Sequence, residues 1–291
     1  MSVGAINNPT AFSVYSNYAT SMNDLSRSMN RLASGTKGVA DDAAGVAISE
    51  GMRSQARGTA MARSNVDNSL SMLQTADGWM QELNNILGRM HELAIQAGDA
   101  SMTGDDRGNI QAEFLQLQSQ LQDIGDKNAK FNGKNLFSTA FSSGATTQIG
   151  ADAGQTMTIT LVNLKSNAAT SMGTNNWSTV LDTASIFLSA GTQASALAGV
   201  DRTINRIQEA IDFIADKRAS VGGQMSRLEH TRSGLLTYED NIRAAESKIR
   251  DVDMAKESSD MAKTQILTQV GNAVLAQANQ LPSSITKLLG S

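Results

Sequence analysis

A chain of 291 residues with net charge −4, no cysteine and two histidines excludes disulfides, thiolate catalysis and zinc–thiolate sites. It also lacks the basic footprint of a nucleic-acid or anionic-membrane binder. Aromatic residues make up only 4%, which favours long helices packed through small and aliphatic side chains over a compact aromatic core.

Residues 1–23 carry no charged side chain. With no Lys or Arg there and no compact apolar run after them, no secretory signal peptide is predicted. No run of ~18 apolar residues predicts a membrane span. Pro9 and Pro282 stand near the two ends, so the stretch between them is free to form uninterrupted helices.

The first helical segment repeats Tyr18, Met22, Leu25, Met29 and Leu32 as a heptad seam, with Ala11 and Val14 slightly out of step. In the second, Trp79, Leu83, Ile86, Met90, Leu93 and Ala97 follow Val66, Leu70 and Leu73. Gly98 and Thr103–Asp106 read as a turn, after which Ile110, Phe114, Leu117, Leu121 and Ile124 form a short third segment.

Between about 138 and 200 Ser, Thr, Gly and Asn dominate. There Met157, Ile159 and Leu161 alternate with Thr156, Thr158 and Thr160, which predicts a strand in a hairpin with the stretch around Gln148-Ile149-Gly150. Residues 165–195 show no core pattern and are expected to face outward. The fourth segment holds Ile204, Ile207, Ile211, Ile214, Val221, Met225, Leu228, Leu235, Ile242 and Ile249 in one register, interrupted by Arg218, Arg232, Glu239 and Glu246. A 3.5-residue period held over about 45 residues argues for supercoiled helices. At ~1.5 Å per residue this helix would be roughly 70 Å long, and the second and third segments must lie beside it to bury its stripe.

Residues 264–286 are again uncharged, with Ile266, Val270, Ala273, Val274 and Leu281 on one stripe. Short uncharged helices rarely fold alone. They fit as mutual partners or as surfaces buried when copies meet.

The chemistry of catalysis finds little material. His91-Glu92-Leu93-Ala94-Ile95 lacks the second histidine of a zincin motif, and Ile95 reads as part of the apolar face. His230 reads as solvated. Asp41-Asp42 before Ala43-Ala44-Gly45 reads as a helix cap. Asn176-Trp177-Ser178 matches the N-glycosylation triplet. No enzyme, metal or cofactor is expected.

Several ordered motifs carry a family resemblance. Leu32-Ala33-Ser34-Gly35 followed by Asp41-Asp42-Ala43-Ala44-Gly45-Val46-Ala47-Ile48 is similar to the bacterial flagellin N-terminal signature. Arg89–Gln96 resembles the first rod helix, Phe131-Asn132-Gly133 the turn closing that half, and Gln148-Ile149-Gly150-Ala151 the family's hairpin. Glu246–Ala255, Gln265-Ile266-Leu267 and Val274–Gln280 resemble the C-terminal block.

The resemblance implies a mainly α fold: a long antiparallel coiled-coil-like helical rod with a small β-hairpin region and paired N- and C-terminal helices. It divides the chain into an inner filament-core domain, 1–43 plus 253–291, and a rod domain, 44–252, with the insertion at about 138–200. The implied function is a structural subunit that self-assembles into the flagellar filament for motility, secreted unfolded through the flagellar type III export apparatus. The hook–filament junction protein of the same flagellin-like family is the alternative.

The expected partners are other copies of the chain, hook-associated junction and cap proteins, a C-terminal-binding export chaperone and an innate immune receptor, with no nucleic acid and no membrane. Val14, Tyr18, Met22, Leu25, Met29, Leu32, Ile266, Val270, Val274 and Leu281 are the candidate self-assembly residues. Arg89, Leu93 and Glu113 match the family's receptor-contacting positions.

Overall fold

The computed structural model describes residues 9–165, 170–172, 175–180 and 193–289. Helix α1 (Pro9–Ser34) is followed by α2 (Ala43–Ala97) and α3 (Gly104–Asp123), which runs into a π-helical turn, Ile124–Asn128. Strands β1 (Lys130–Phe131) and β2 (Lys134–Asn135), helix α4 (Thr139–Ser142) and strands β3 (Ala145–Gln148) and β4 (Thr156–Ile159) come next. The short β5 (Ser171–Met172), β6 (Asn175–Asn176) and α5 (Trp177–Val180) precede the two long helices α6 (Gln193–Arg250) and α7 (Met254–Leu289). The chain divides into two compact units, Met1–Ser54 with Asp240–Ser291 and Gln55–Glu239. Helices α2 and α6 supply residues to both.

Local chemistry sets the helix ends. Pro9 opens α1, where a missing N–H is harmless. Gly35 follows it at φ 70, the left-handed conformation that ends helices. The Asp42 carboxylate accepts from the Gly45 amide at 2.8 Å, and that of Asp253 from Ala255 and Lys256, so each caps the helix after it. Thr103 and Asp106 exchange side-chain-to-backbone bonds in a capping box that opens α3. The buried Arg107 guanidinium donates to the carbonyls of Ala97 and Asp99, both at 3.0 Å, and closes the end of α2. Helix α7 continues past Pro282.

In the unit Gln55–Glu239, α2, α3 and α6 share one core. Leu73, Met80, Leu83, Leu87, Met90 and Leu93 of α2 belong to it with Phe114 and Leu121 of α3 and Ile207, Ile214, Val221 and Leu228 of α6. The charges that interrupt the α6 stripe turn out to be paired with α2. Arg218 meets Asp77 at 2.8 Å, Arg232 meets Asp67 at 2.8 Å and Glu239 meets Arg63 at 3.4 Å. In the terminal unit Glu246 meets Arg53 at 3.4 Å. The partners descend α2 as the positions ascend α6, so the two helices run antiparallel.

The predicted hairpin is present: β3 and β4 pair antiparallel, with Gln148 opposite Thr156. It is clamped to α2 by Ser69–Thr147 and Asn65–Gln148 hydrogen bonds. On the α6 side the Gln224 amide exchanges two 3.0 Å bonds with the Thr160 backbone. Asn132 and Gly133, at φ 48 and 76, form the two-residue turn between β1 and β2. In the π-turn a Cβ on Gly125 would stand 2.3 Å from the Leu164 carbonyl oxygen, a close approach that only glycine allows.

Two expectations change. Ile95 is exposed, not part of the apolar face, because Leu93 and Ala94 occupy the core on that turn. The stretch expected to lack a core contains Trp177, which is fully buried and donates its indole N–H to the Leu164 carbonyl at 2.7 Å. Beside it, Gln118 donates to the Val180 carbonyl at 2.9 Å. The Asn176-Trp177-Ser178 triplet is therefore anchored at its centre. Residues 181–192 of that stretch lie outside the described residues.

Candidate self-assembly surface

Helices α1 and α7 form an antiparallel pair in the terminal unit: Tyr18 lies against Gly271, and Arg31 faces Glu257 at 3.5 Å. Half-buried or buried positions recur along α1 at Ala11, Val14, Tyr18, Ser21, Leu25, Ser28 and Leu32, with Ala19 and Arg31 beside them, and along α7 at Glu257, Met261, Thr264, Thr268, Gly271, Leu275 and Ala278. Each set alternates steps of three and four, the spacing of a supercoiled seam. Small side chains let the backbones approach, and Cα atoms of the two helices come within 8 Å. A Cβ on Gly271 would already press on the Tyr18 ring at 3.2 Å.

This seam differs from the one the hydrophobic pattern predicts. Val14, Tyr18, Leu25 and Leu32 lie in it, and Ala11 and Val14 are in step with it after all. Met22, Met29, Ile266, Val270 and Val274 do not. They are exposed together with Phe12, Tyr15 and Leu267, each of these eight side chains showing between 41% and 76% of its surface. The Leu281 side chain lies outside the described residues. Tyr15, Met22 and Met29 recur every seven residues, so they line one flank of α1. The seven-residue spacing marks Tyr15 in the sequence, as it does Leu267 ahead of Val274, whereas Phe12 carries no such mark.

The terminal unit is closed where its connections meet. The Lys37 amide donates to Arg250 at 2.8 Å and the Val252 amide to Gly35 at 3.1 Å, so the two interhelix loops pair as a β-bridge. Asp41 accepts from Arg31 at 2.6 Å and from the Gly38 amide at 3.1 Å. The Arg31 hydrogen bond, with help from that amide and the Arg27 charge, holds its carboxyl down at about 2 against a burial cost. Arg250 pairs with Glu50, which also lies near Arg53.

The candidate receptor residues divide. Arg89 and Glu113 meet on the surface at 2.8 Å, while Leu93 is only 1% exposed in the core beneath. Among the described residues, no group of three or more His, Cys, Asp or Glu is placed to hold a metal ion. Nor is any helix among them long and apolar enough to cross a membrane.

The family model of the bacterial flagellin N-terminal helical region matches residues 6–142, and that of the C-terminal helical region matches 204–289. A flagellin of Halalkalibacterium halodurans is 34% identical over 285 residues, covering 97% of this chain and 98% of its own. The chain belongs to the bacterial flagellin family. A flagellin-family relative, the flagellar filament 33 kDa core protein of Treponema phagedenis, is 36% identical and covers 91% of this chain and 92% of its own. A solved structure described as a flagellar hook-associated protein from Vibrio parahaemolyticus superposes with a TM-score of 0.60 over 72% of this flagellin chain and 100% of its own. At 13% identity that likeness concerns the fold alone.

Proposed function

We propose that this chain, as a flagellin a structural subunit of the bacterial flagellar filament, polymerises through the outward stripe of the α1–α7 pair. The observation that carries the reading is the apolar surface left open on both helices. The seam between the two helices mixes small and polar groups with the half-buried Val14, Tyr18, Leu25 and Leu32, while further large apolar side chains on both helices stay exposed outside it. Such a surface marks an interaction site, and burying each aliphatic side chain is worth ~1.5–3 kcal/mol.

In this reading 1–43 with 253–291 form the inner filament core, and 44–252 form the surrounding rod. The partners are other copies, junction and cap proteins at the filament ends, the type III export apparatus and a chaperone on the C-terminal helix. Recognition by an innate immune receptor would fall on the exposed Arg89–Glu113 pair, with Leu93 supporting it from the core. The test is polymerisation of the purified protein on filament seeds, followed by electron microscopy and sedimentation. Filaments are expected without added nucleotide, metal or oxidant. A folded protein that stays monomeric on fresh seeds contradicts the reading.

A further inference from the structure

The chain has 14 methionines and no cysteine, so thioethers are its softest oxidisable groups. Their distribution is uneven. Met72, Met80, Met90 and Met157 are buried in the Gln55–Glu239 core, whereas Met22 and Met29 stand exposed one heptad apart on the outward flank of α1; Met61 and Met254 are exposed as well, on α2 and at the start of α7. Leucine would serve an apolar contact there equally well with no liability to oxidation. Conversion to the sulfoxide turns a flexible apolar side chain into a polar one, and burying a polar oxygen without a partner is unfavourable.

We propose that Met22 and Met29 are an oxidation-sensitive control on assembly: a peroxide converts them to sulfoxides in the free subunit and blocks polymerisation. The step balances. The thioether sulfur gains one oxygen atom and gives up two electrons, and the peroxide is reduced to an alcohol, or to water when it is hydrogen peroxide. The fold is left standing, because the core methionines are shielded and neither Met22 nor Met29 lies in the α1–α7 seam. Reduction of the sulfoxide restores the thioether, so the block is reversible. Subunits already in a filament are protected, because the same flank is covered. The inference rests on the reading that this flank is the polymerisation surface.

The experiment treats full-length monomer and assembled filament with hydrogen peroxide and maps sulfoxides by peptide mass spectrometry. Polymerisation on fresh seeds is then measured for wild type and for the double variant Met22→Leu, Met29→Leu. Circular dichroism checks that each sample stays helical. Oxidised wild-type monomer should show a critical concentration raised about tenfold or more, from two polar groups placed in an apolar contact. Treatment with methionine sulfoxide reductases of both epimer specificities should reverse the rise, and the double variant should keep polymerising after peroxide.

Normal polymerisation of monomer carrying both sulfoxides overturns the proposal and leaves the assembly reading intact. Equal loss in the double variant also overturns it, since other methionines then carry the effect. If Met22 and Met29 oxidise as readily in filament as in monomer, the flank is not covered, and both the assembly reading and the proposal fall.

Discussion

Asp41 shows how one carboxylate is made to matter in a chain with few special residues. Its folded pKa is held at about 2 against an ordinary 3.8, first by the Arg31 hydrogen bond. A depressed carboxylate contributes stability that is fully present above its unfolded pKa and is lost as pH falls through the folded value. Melting temperature should therefore drop between about pH 4 and pH 2. An Asp41→Asn variant should melt lower at neutral pH and show a flatter dependence across that window. Thermal melts against pH, followed by helical signal, check this; an identical acid limb in the variant would rule out Asp41 as its source.

At the scale of elements, the four charges along α6 act as keys for the α2–α6 register. Glu239 is buried, and Arg63, its partner at 3.4 Å, is partly exposed. Removing one partner of a buried pair costs more than replacing a charge by a hydrophobe of similar size. Arg63→Ala should therefore destabilise the protein by about 2 kcal/mol, below the fully buried case because Arg63 keeps some water. Glu239→Leu, at a heptad position, should be neutral or stabilising. Urea melts of the two variants decide between them, and a costlier Glu239→Leu would show that Glu239 contributes stability rather than register.

The same contrast separates the two faces of the terminal helices. Leu25→Asp falls in the α1–α7 seam and should loosen the pair itself. Val270→Asp falls on the outward stripe and should leave helicity and melting unchanged while abolishing sedimentable filaments. If Val270→Asp polymerises normally, that stripe is not the contact.

How far these elements could be read from the sequence depends on what buries them. The α6 stripe was legible because Ile207, Ile214, Val221 and Leu228 mark it with bulky aliphatics. The hairpin was legible from the Thr–apolar alternation of 156–161. The α1–α7 seam was legible only in part: Val14, Tyr18, Leu25 and Leu32 mark it on α1, while Ser21, Ser28, Thr264, Thr268 and Gly271 complete it and carry no hydrophobic signal. Their smallness is what brings the backbones close, while Met22, Met29, Ile266, Val270 and Val274 are exposed outside the seam. Trp177 was missed for a related reason: a single anchor in a polar stretch has no period to betray it.

At the scale of the whole molecule, the two units differ in what holds them. The Gln55–Glu239 unit has a continuous core of fully buried Leu, Ile, Met and Phe side chains. The terminal unit has a seam of mostly half-buried groups in α1 and α7, small and polar side chains among Val14, Tyr18, Leu25, Leu32, Met261 and Leu275, and further large apolar residues are exposed outside it. Ordering backbone costs ~1–2 kcal/mol per residue, and the seam alone recovers little of this. These helices should open readily in the free subunit and become stable when neighbouring copies cover the outward stripe. Hydrogen exchange of free protein and filament, followed peptide by peptide, tests this directly. Amides of α1 and α7 should exchange quickly in the free protein and slowly in the filament, while those of the α2–α6 core between Gln55 and Glu239 stay protected in both. Strong protection of α1 and α7 before assembly, unchanged in the filament, would contradict it.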